Sequence, residues 1–263
     1  MESALEEIEF LALSSNRVEV LRLLAAGPHS RGDLAAETGA SQATLGRIIA
    51  DFEERSWIRR TGGEYVATAT GRIVADGFTD LLDSLETEQR LRDIVQYLPT
   101  DAMDFDLRHL ADATITVPSQ TRPNAPVQRL LDLLRDAEEV RTFSHAFNDQ
   151  AIRVVQDRAT AGEQRFSGVF SPSAIDALAA DDRLRSRFES LRSEPNASVR
   201  VRNDGVPLAV MIADDVVHLL LRDDNGVLQA SVDTTAPAVR EWAIETFDTY
   251  WTSAEPLSDE WSL

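Results

Sequence analysis

Apolar positions recur along the chain with two different periods, and the change between them divides it. Leu5, Ile8, Leu11, Leu13, Val18, Leu21 and Leu24 fall mostly at helical spacing. Ser14, Ser15 and Asn16 interrupt them and suit an N-cap for a second helix, which Gly27 and Pro28 end. Ser30 predicts the cap of a short helix, RGDLAAETG, because Asp33 stands three residues on in capping-box fashion and Gly39 fits a C′ position. Ser41 caps the next helix, from about Gln42 to Arg55, with Leu45, Ile48, Ile49 and Phe52 on one face. Trp57 and Ile58 open a strand, TGG turns the chain, and EYVAT returns as its partner. From Thr70 a long helix is expected to run to Leu98, before Pro99.

Beyond PTDAMDFD the pattern alternates. ATITVPS, VRTFSHAF, RFSGVF and SVRVRN read as strands, separated by the amphipathic segments VQRLLDLLRDAEE, NDQAIRVVQDRATAG and SPSAIDALAADDRLRSRFESLRS. VPLAVMIADDVVHLLLRDDNGVLQASVDT predicts two consecutive hairpins, turned at Asp214 and Asp215 and at DDNG. APAVREWAIETFDTYWTSA is a last helix before a polar tail. The expected fold class is α+β: a winged helix-turn-helix at residues 1–75, a linker and dimerisation helix at 76–99, and a mixed α/β sheet domain at 100–263 that senses an effector.

Charge sharpens this division. The formal net charge is -19 over 263 residues, and all 26 basic residues are Arg. Residues 14–75 hold eight Arg against seven acids, whereas residues 76–263 hold 18 against 34. The N-terminal unit is therefore near neutral with its arginines grouped, as a polyanion-docking surface requires, while the remainder carries the acidity. A carboxylate-dense, Lys-free surface is the style of extreme halophiles, whose net charge keeps proteins dispersed in concentrated salt. At about 1 M salt the Debye length is about 3 Å, so stability should rise with salt.

Composition also excludes chemistry. The chain has no Cys, which removes disulfides, zinc ribbons and thiol nucleophiles, and the missing Lys removes P-loop and Schiff-base chemistry. No apolar run approaches the ~18 residues that span a bilayer, and the acidic N-terminus is unlike a signal peptide; a cytoplasmic protein with no membrane partner is expected.

The helix, turn, helix and hairpin order points to double-stranded DNA. A third helix entering the major groove needs small or hydrogen-bonding residues at its start, which Ser41, Gln42, Ala43 and Thr44 supply, and Arg47 one turn on reaches a guanine or a phosphate. Arg59, Arg60, Thr61 and Gly62 fit a wing that grips the backbone or the minor groove.

The segment SSNRVEVLRLLAAGPHSRGDLAAETGASQATLGRIIADFEERSWIRRTGGEYVATATGRIVA resembles the winged-helix domain of archaeal transcriptional regulators. The run from IVQYLP through ATITVPSQTRPNAPVQRLLDLLRDAEEVRTFSH to VREWAIETFDTYWTSAEPL resembles the FilR1-type (methanogenesis-regulator) C-terminal domain of haloarchaeal regulators. That domain is similar to the phospholipase-D-like effector domain of sugar-responsive TrmB regulators. The resemblance implies a sensor domain, and without Lys there is no HxK pair, so it implies binding rather than hydrolysis.

Within the sheet domain, His145 stands at a strand end beside Ser144 and ahead of Asn148, and Ser171 and Ser173 follow the strand RFSGVF in a comparable position; with Arg141 or Arg122 these could read a polar metabolite. A satisfied strand-end histidine and two helix caps are the simpler reading. His29 and His109 offer less, and His218, in an apolar strand, reads as core packing. No two His have metal-ligand spacing, and the paired aspartates at 214–215 and 223–224 fit turns better than cation sites, so neither a metal nor a cofactor is expected. An enzyme or a protein scaffold that uses the winged helix for docking is the alternative, but the α/β domain offers only scattered Ser and a solitary His145 as catalytic groups.

Overall fold

The structure is a computed structural model and describes residues 1–257; the polar tail from 258 to 263 lies outside the described residues. The chain forms two compact units, which part between Glu86 and Thr87.

The first unit contains α1 (Glu2–Ala12), α2 (Ser15–Ala26), α3 (Arg31–Thr38), α4 (Gln42–Glu54), β1 (Ile58–Thr61), β2 (Glu64–Ala67) and the start of α5 (Ala69–Leu91). Local chemistry sets its joints. Ser14 occupies the N-cap of α2, yet its side chain makes no capping bond. Ser30 and Asp33 form a reciprocal capping box, and Gly39 ends α3 in the left-handed region at φ 66°. Ser41 Oγ accepts from the Thr44 amide and starts α4.

Leu45, Ile48, Ile49 and Phe52 of α4 pack with Val20, Leu21, Leu24 and Leu34 into one apolar core. Phe52 is fully buried, and truncating such a side chain to Ala costs about 3–5 kcal/mol. Gly62 (φ 62°) and Gly63 (φ 99°) make the two-residue turn between β1 and β2. His29 adds a bridge that the sequence pattern does not announce, exchanging both backbone hydrogen bonds with Tyr65 at 2.9 and 2.8 Å.

The second unit is built on an eight-stranded sheet in the order β10–β6–β5–β4–β7–β8–β9–β3. Its strands are β3 (Thr114–Thr116), β4 (Glu139–Ser144), β5 (Arg165–Phe170), β6 (Ala197–Val201), β7 (Ala209–Ala213), β8 (Val216–Arg222), β9 (Leu228–Thr234) and β10 (Glu255–Pro256). β4, β5 and β6 are parallel, joined by α7 (Asp149–Thr160) and by α8 (Pro172–Ala179) with α9 (Asp182–Arg192), and β7 to β9 form the expected hairpins. α6 (Ala125–Asp136), α7, α8 and α9 cover one face through a core that includes Leu134, Val155, Ile175 and Phe188. α10 (Pro237–Ser253) covers the other through Trp242 and Phe247.

The long helix ends earlier than its apolar spacing predicts. After Leu91 the chain tightens into 3-10 turns, with Ile94 and Tyr97 amides bonded three residues back, and this brings Leu91, Ile94 and Leu98 into one core. Asp214 turns the β7–β8 hairpin with φ 50°, and its carboxylate accepts from the Glu138 and Glu139 amides. Asp223 likewise accepts from the amides of Asn225 and Val227. Both aspartates are thus occupied in turn geometry.

Candidate nucleic-acid interface and ligand cavity

α4 separates its two jobs by face. Its apolar residues enter the core, while Ser41, Gln42, Ala43 and Arg47 are exposed and Thr44 is half-buried. The Ser41 and Thr44 hydroxyls lie 2.9 Å apart, so both also serve the cap. Among the described residues Arg47 and Arg59 form no ion pair or hydrogen bond, and Arg60 only leans over the Tyr65 ring, 5.7 Å from its centroid. Arg59, Arg60, Thr61 and Gly62 are all exposed on the β1–β2 hairpin. Unpaired guanidinium groups at the start of one helix and along one hairpin are what a phosphate backbone with groove edges would engage.

The acids of α4 do not oppose this arrangement at its N-terminal end. Asp51 faces Arg17 at 3.6 Å, and Glu53 and Glu54 sit in the last turn. Arg55, one of the eight arginines of residues 14–75, is structural: it bonds Glu7 at 2.8 Å and lies over the Phe10 ring, 3.8 Å from its centroid.

Arg31 is a residue that sequence reasoning missed. Its guanidinium donates to the Gln42 carbonyl and crosses α4 at Gly46, where a Cβ would lie 2.7 Å from Nη2. The glycine inside an otherwise good helix was the available signal.

In the second unit the expected ligand residues do not form one cluster. Ser144 and Asn148 line a cavity beneath α6, α7 and α9, and each is partly occupied: Ser144 Oγ donates to the Ala146 carbonyl, and Asn148 Oδ1 caps α7. His145 faces a surface groove with Tyr97 and Pro207; burial, with the charge of Arg222, lowers its pKa. Arg141 lies on the α10 face, paired with Glu139 at 2.9 Å and 6.0 Å from the Phe247 ring. Ser171 caps α8 and lies 3.0 Å from Ser173. Arg122 is exposed before α6, its amide bonded to Ser119 Oγ.

The cavity contains a residue that the sequence assigned to packing. His218 of β8 is 1% exposed and stands opposite Asp233 of β9. Its Nδ1 is 3.7 Å from the Asp233 carboxylate, and neither ring nitrogen has a hydrogen-bond partner among the described residues. Asp233 is held instead by Arg129 of α6, whose Nη2 donates at 2.6 Å and Nε at 3.1 Å. Burial lowers the His218 pKa against the attraction of Asp233, so the imidazole is neutral. Burial opposes the ionised form of Asp233, but the nearby His218 ring and the hydrogen bonds and charge of Arg129 outweigh this and hold its pKa below the usual range.

A winged helix-turn-helix joined to an α/β unit defines the class, and the family models agree with both parts. Residues 5–90 match the HVO_A0261 N-terminal domain, and residues 123–253 match the middle domain of the methanogenesis regulatory protein FilR1. The chain therefore pairs an HVO_A0261-type N-terminal domain with a FilR1-type middle domain.

Solved structures resemble it at low identity. TrmBL2, an archaeal chromatin protein whose structure shows a novel mode of DNA binding, is 16% identical, with 95% of this chain and 98% of that chain covered and a TM-score of 0.42. NucT from Helicobacter pylori is 16% identical over 55% of this chain and 98% of its own, with a TM-score of 0.43. Nuc from Salmonella typhimurium, a phospholipase D family member, is 13% identical over 55% of this chain and 97% of its own, also at 0.43. No curated protein sequence matches the chain. No helix among the described residues is long and apolar enough to cross a membrane.

Proposed function

We propose that this protein is a DNA-binding transcriptional regulator, with α4 in the major groove and the β1–β2 hairpin as its wing. The observation that carries the reading is the pair of unpartnered cations, Arg47 and Arg59, kept exposed on helix and wing in a chain of net charge -19. Gln42, Ala43 and Arg47 read base edges, Ser41 and Thr44 hold the helix start and contact the backbone, and Arg59, Arg60, Thr61 and Gly62 follow phosphate. Arg31, anchored at the first turn of α4, adds a further cation to this face. The FilR1-type domain supports a regulatory role, and in this reading the second unit senses a small metabolite and catalyses nothing.

The protein acts as a homodimer in the cytoplasm of a halophile. Ile73, Leu81 and Leu85 are exposed along one stripe of α5, and Leu5, Ile8 and Leu13 are exposed at α1; a second copy covering them presents two recognition helices to paired half-sites. In molar salt the counterion-release part of DNA binding shrinks, so affinity leans on base contacts and shape.

Genome-wide occupancy of the tagged protein, beside a variant with Arg47→Ala, Arg59→Ala and Arg60→Ala, tests the reading at cellular salt. Discrete promoter peaks lost in the variant are expected. Equal, flat occupancy in both would overturn it and favour protein docking by the winged helix.

A further inference from the structure

The sheet face beneath α6, α7 and α9 does not close completely. A cavity of about 90 Å³ remains there, lined by the rings of Phe147, Phe166, Phe170 and Phe188 and by aliphatic side chains. Cross-strand register explains the space. Asp233, His218, Met211, Thr142 and Gly168 form one row across five strands, and at Gly168 the row has no side chain, so the Phe166 and Phe170 rings lean in over bare backbone.

His218 marks this cavity as more than a packing defect. A buried imidazole with no hydrogen-bond partner costs stability, by roughly 1–3 kcal/mol for a lost partner. Asp233 does not require it, since Arg129 already neutralises that carboxylate. With Nδ1 turned to Asp233, Nε2 is left as a buried nitrogen without a partner in a residue that lines a mostly apolar space, whose Thr142, Ser144 and Asn148 oxygens already have partners of their own.

We propose that this cavity binds a small neutral molecule with an apolar body and one hydroxyl or carbonyl group, which His218 Nε2 engages by a hydrogen bond. The size follows from the volume, which equals about three waters at ~30 Å³ each and admits about four to six non-hydrogen atoms. The neutrality follows from the surroundings. Arg222 also lines the cavity without an acidic partner among the described residues, its Nη1 donating to the Gly226 carbonyl at 2.8 Å, but it stands four residues along β8 from His218, so a carboxylate placed against His218 would be desolvated beside a neutral ring and an Arg129 already paired with Asp233. The inference rests on the reading of the second unit as a sensor, for which it supplies the ligand class.

Titration calorimetry of the full chain in molar KCl, with 2-methyl-1-propanol and with isobutyrate, tests it. Saturable binding of the alcohol and at least tenfold weaker binding of isobutyrate are expected. His218→Leu keeps the cavity and removes the polar atom, so alcohol affinity falls about tenfold while the variant melts no lower than the parent. Ala151→Leu, which fills the space from α7, abolishes binding. No saturable alcohol binding in the parent overturns the site, tighter isobutyrate binding overturns the ligand class, and undiminished affinity in His218→Leu overturns the role of that residue. Promoter DNA affinity measured with the cavity saturated separates the two readings: an unchanged affinity beside real alcohol binding overturns the sensor and leaves the site.

Discussion

Arg129→Met isolates the electrostatics of the buried sheet row. The substitution keeps most of the aliphatic packing on α6 but leaves the Asp233 carboxylate, 4% exposed, without its cation. Breaking one side of a buried pair typically costs about 3–5 kcal/mol. The upper end is capped here, because protonating an Asp of ordinary pKa 3.8 at pH 7 costs about 1.4 kcal/mol per unit, or roughly 4 kcal/mol. A loss of about 3–4 kcal/mol at pH 7 is therefore expected, a large share of the ~5–15 kcal/mol that stabilises an ordinary domain.

The pH dependence gives a second, independent check. In the parent, His218 has a folded pKa below its ordinary 6.5, so unfolding takes up a proton below that pH and stability falls as the solution is acidified. In Arg129→Met the folded His218–Asp233 pair holds one proton, so this uptake disappears. The gap between parent and variant should narrow as the pH falls below 6.5, by at most about 1.4 kcal/mol per unit. Urea unfolding in molar KCl, followed by circular dichroism, measures both. A cost under about 1 kcal/mol, or a gap that does not move with pH, would refute the reasoning. Adding Asp233→Leu should restore most of the loss, as apolar replacement of both partners commonly does.

Other expectations follow from single contacts. Gly71→Ala would set a Cβ 1.9 Å from the Trp57 carbonyl oxygen, so the β1 entry must shift; a loss of about 1–3 kcal/mol should appear in tryptophan fluorescence unfolding. Arg47→Ala should cost about 1–3 kcal/mol on the preferred operator and relax one base position, while Arg59→Ala should weaken all sequences alike and reduce the salt slope by about 0.9, both read by fluorescence anisotropy. Melting temperature should climb as KCl rises from millimolar to molar, because screening relieves repulsion among the excess carboxylates; a flat or falling curve would remove the halophilic reading.

The winged helix was legible because its signals are local. The Ser30–Asp33 box, Gly39 and Ser41 declare helix ends within four residues, and the apolar face of α4 follows a single period. The eight-stranded sheet was legible in kind, since strand and helix patterns alternate, but not in order: which strands become neighbours depends on pairings over long separations, and β10 is too short to carry a pattern. The cavity was hidden for the same reason. His218, Asp233 and Arg129 come together only through the β8–β9 register and the packing of α6, and each reads alone as an ordinary core or surface residue. Arg141 and Ser144 lie three apart in one strand, yet the pleat sends them to opposite faces.

Arg17 and Arg55 hold the Phe10 ring between them, 4.0 and 3.8 Å from its centroid, and so fasten α1 to the rest of its unit. This clamp works by contact between flat surfaces. Dissolved ions weaken the attraction between Arg55 and Glu7, but they cannot enter the stacked planes. A lysine at either position would bring a compact, strongly hydrated head group that cannot lie flat on the ring. Here the exclusive use of arginine is a mechanical choice as well as a compositional one: the joint keeps its grip in brines that silence ion pairs, and α1 stays seated when the ionic strength changes.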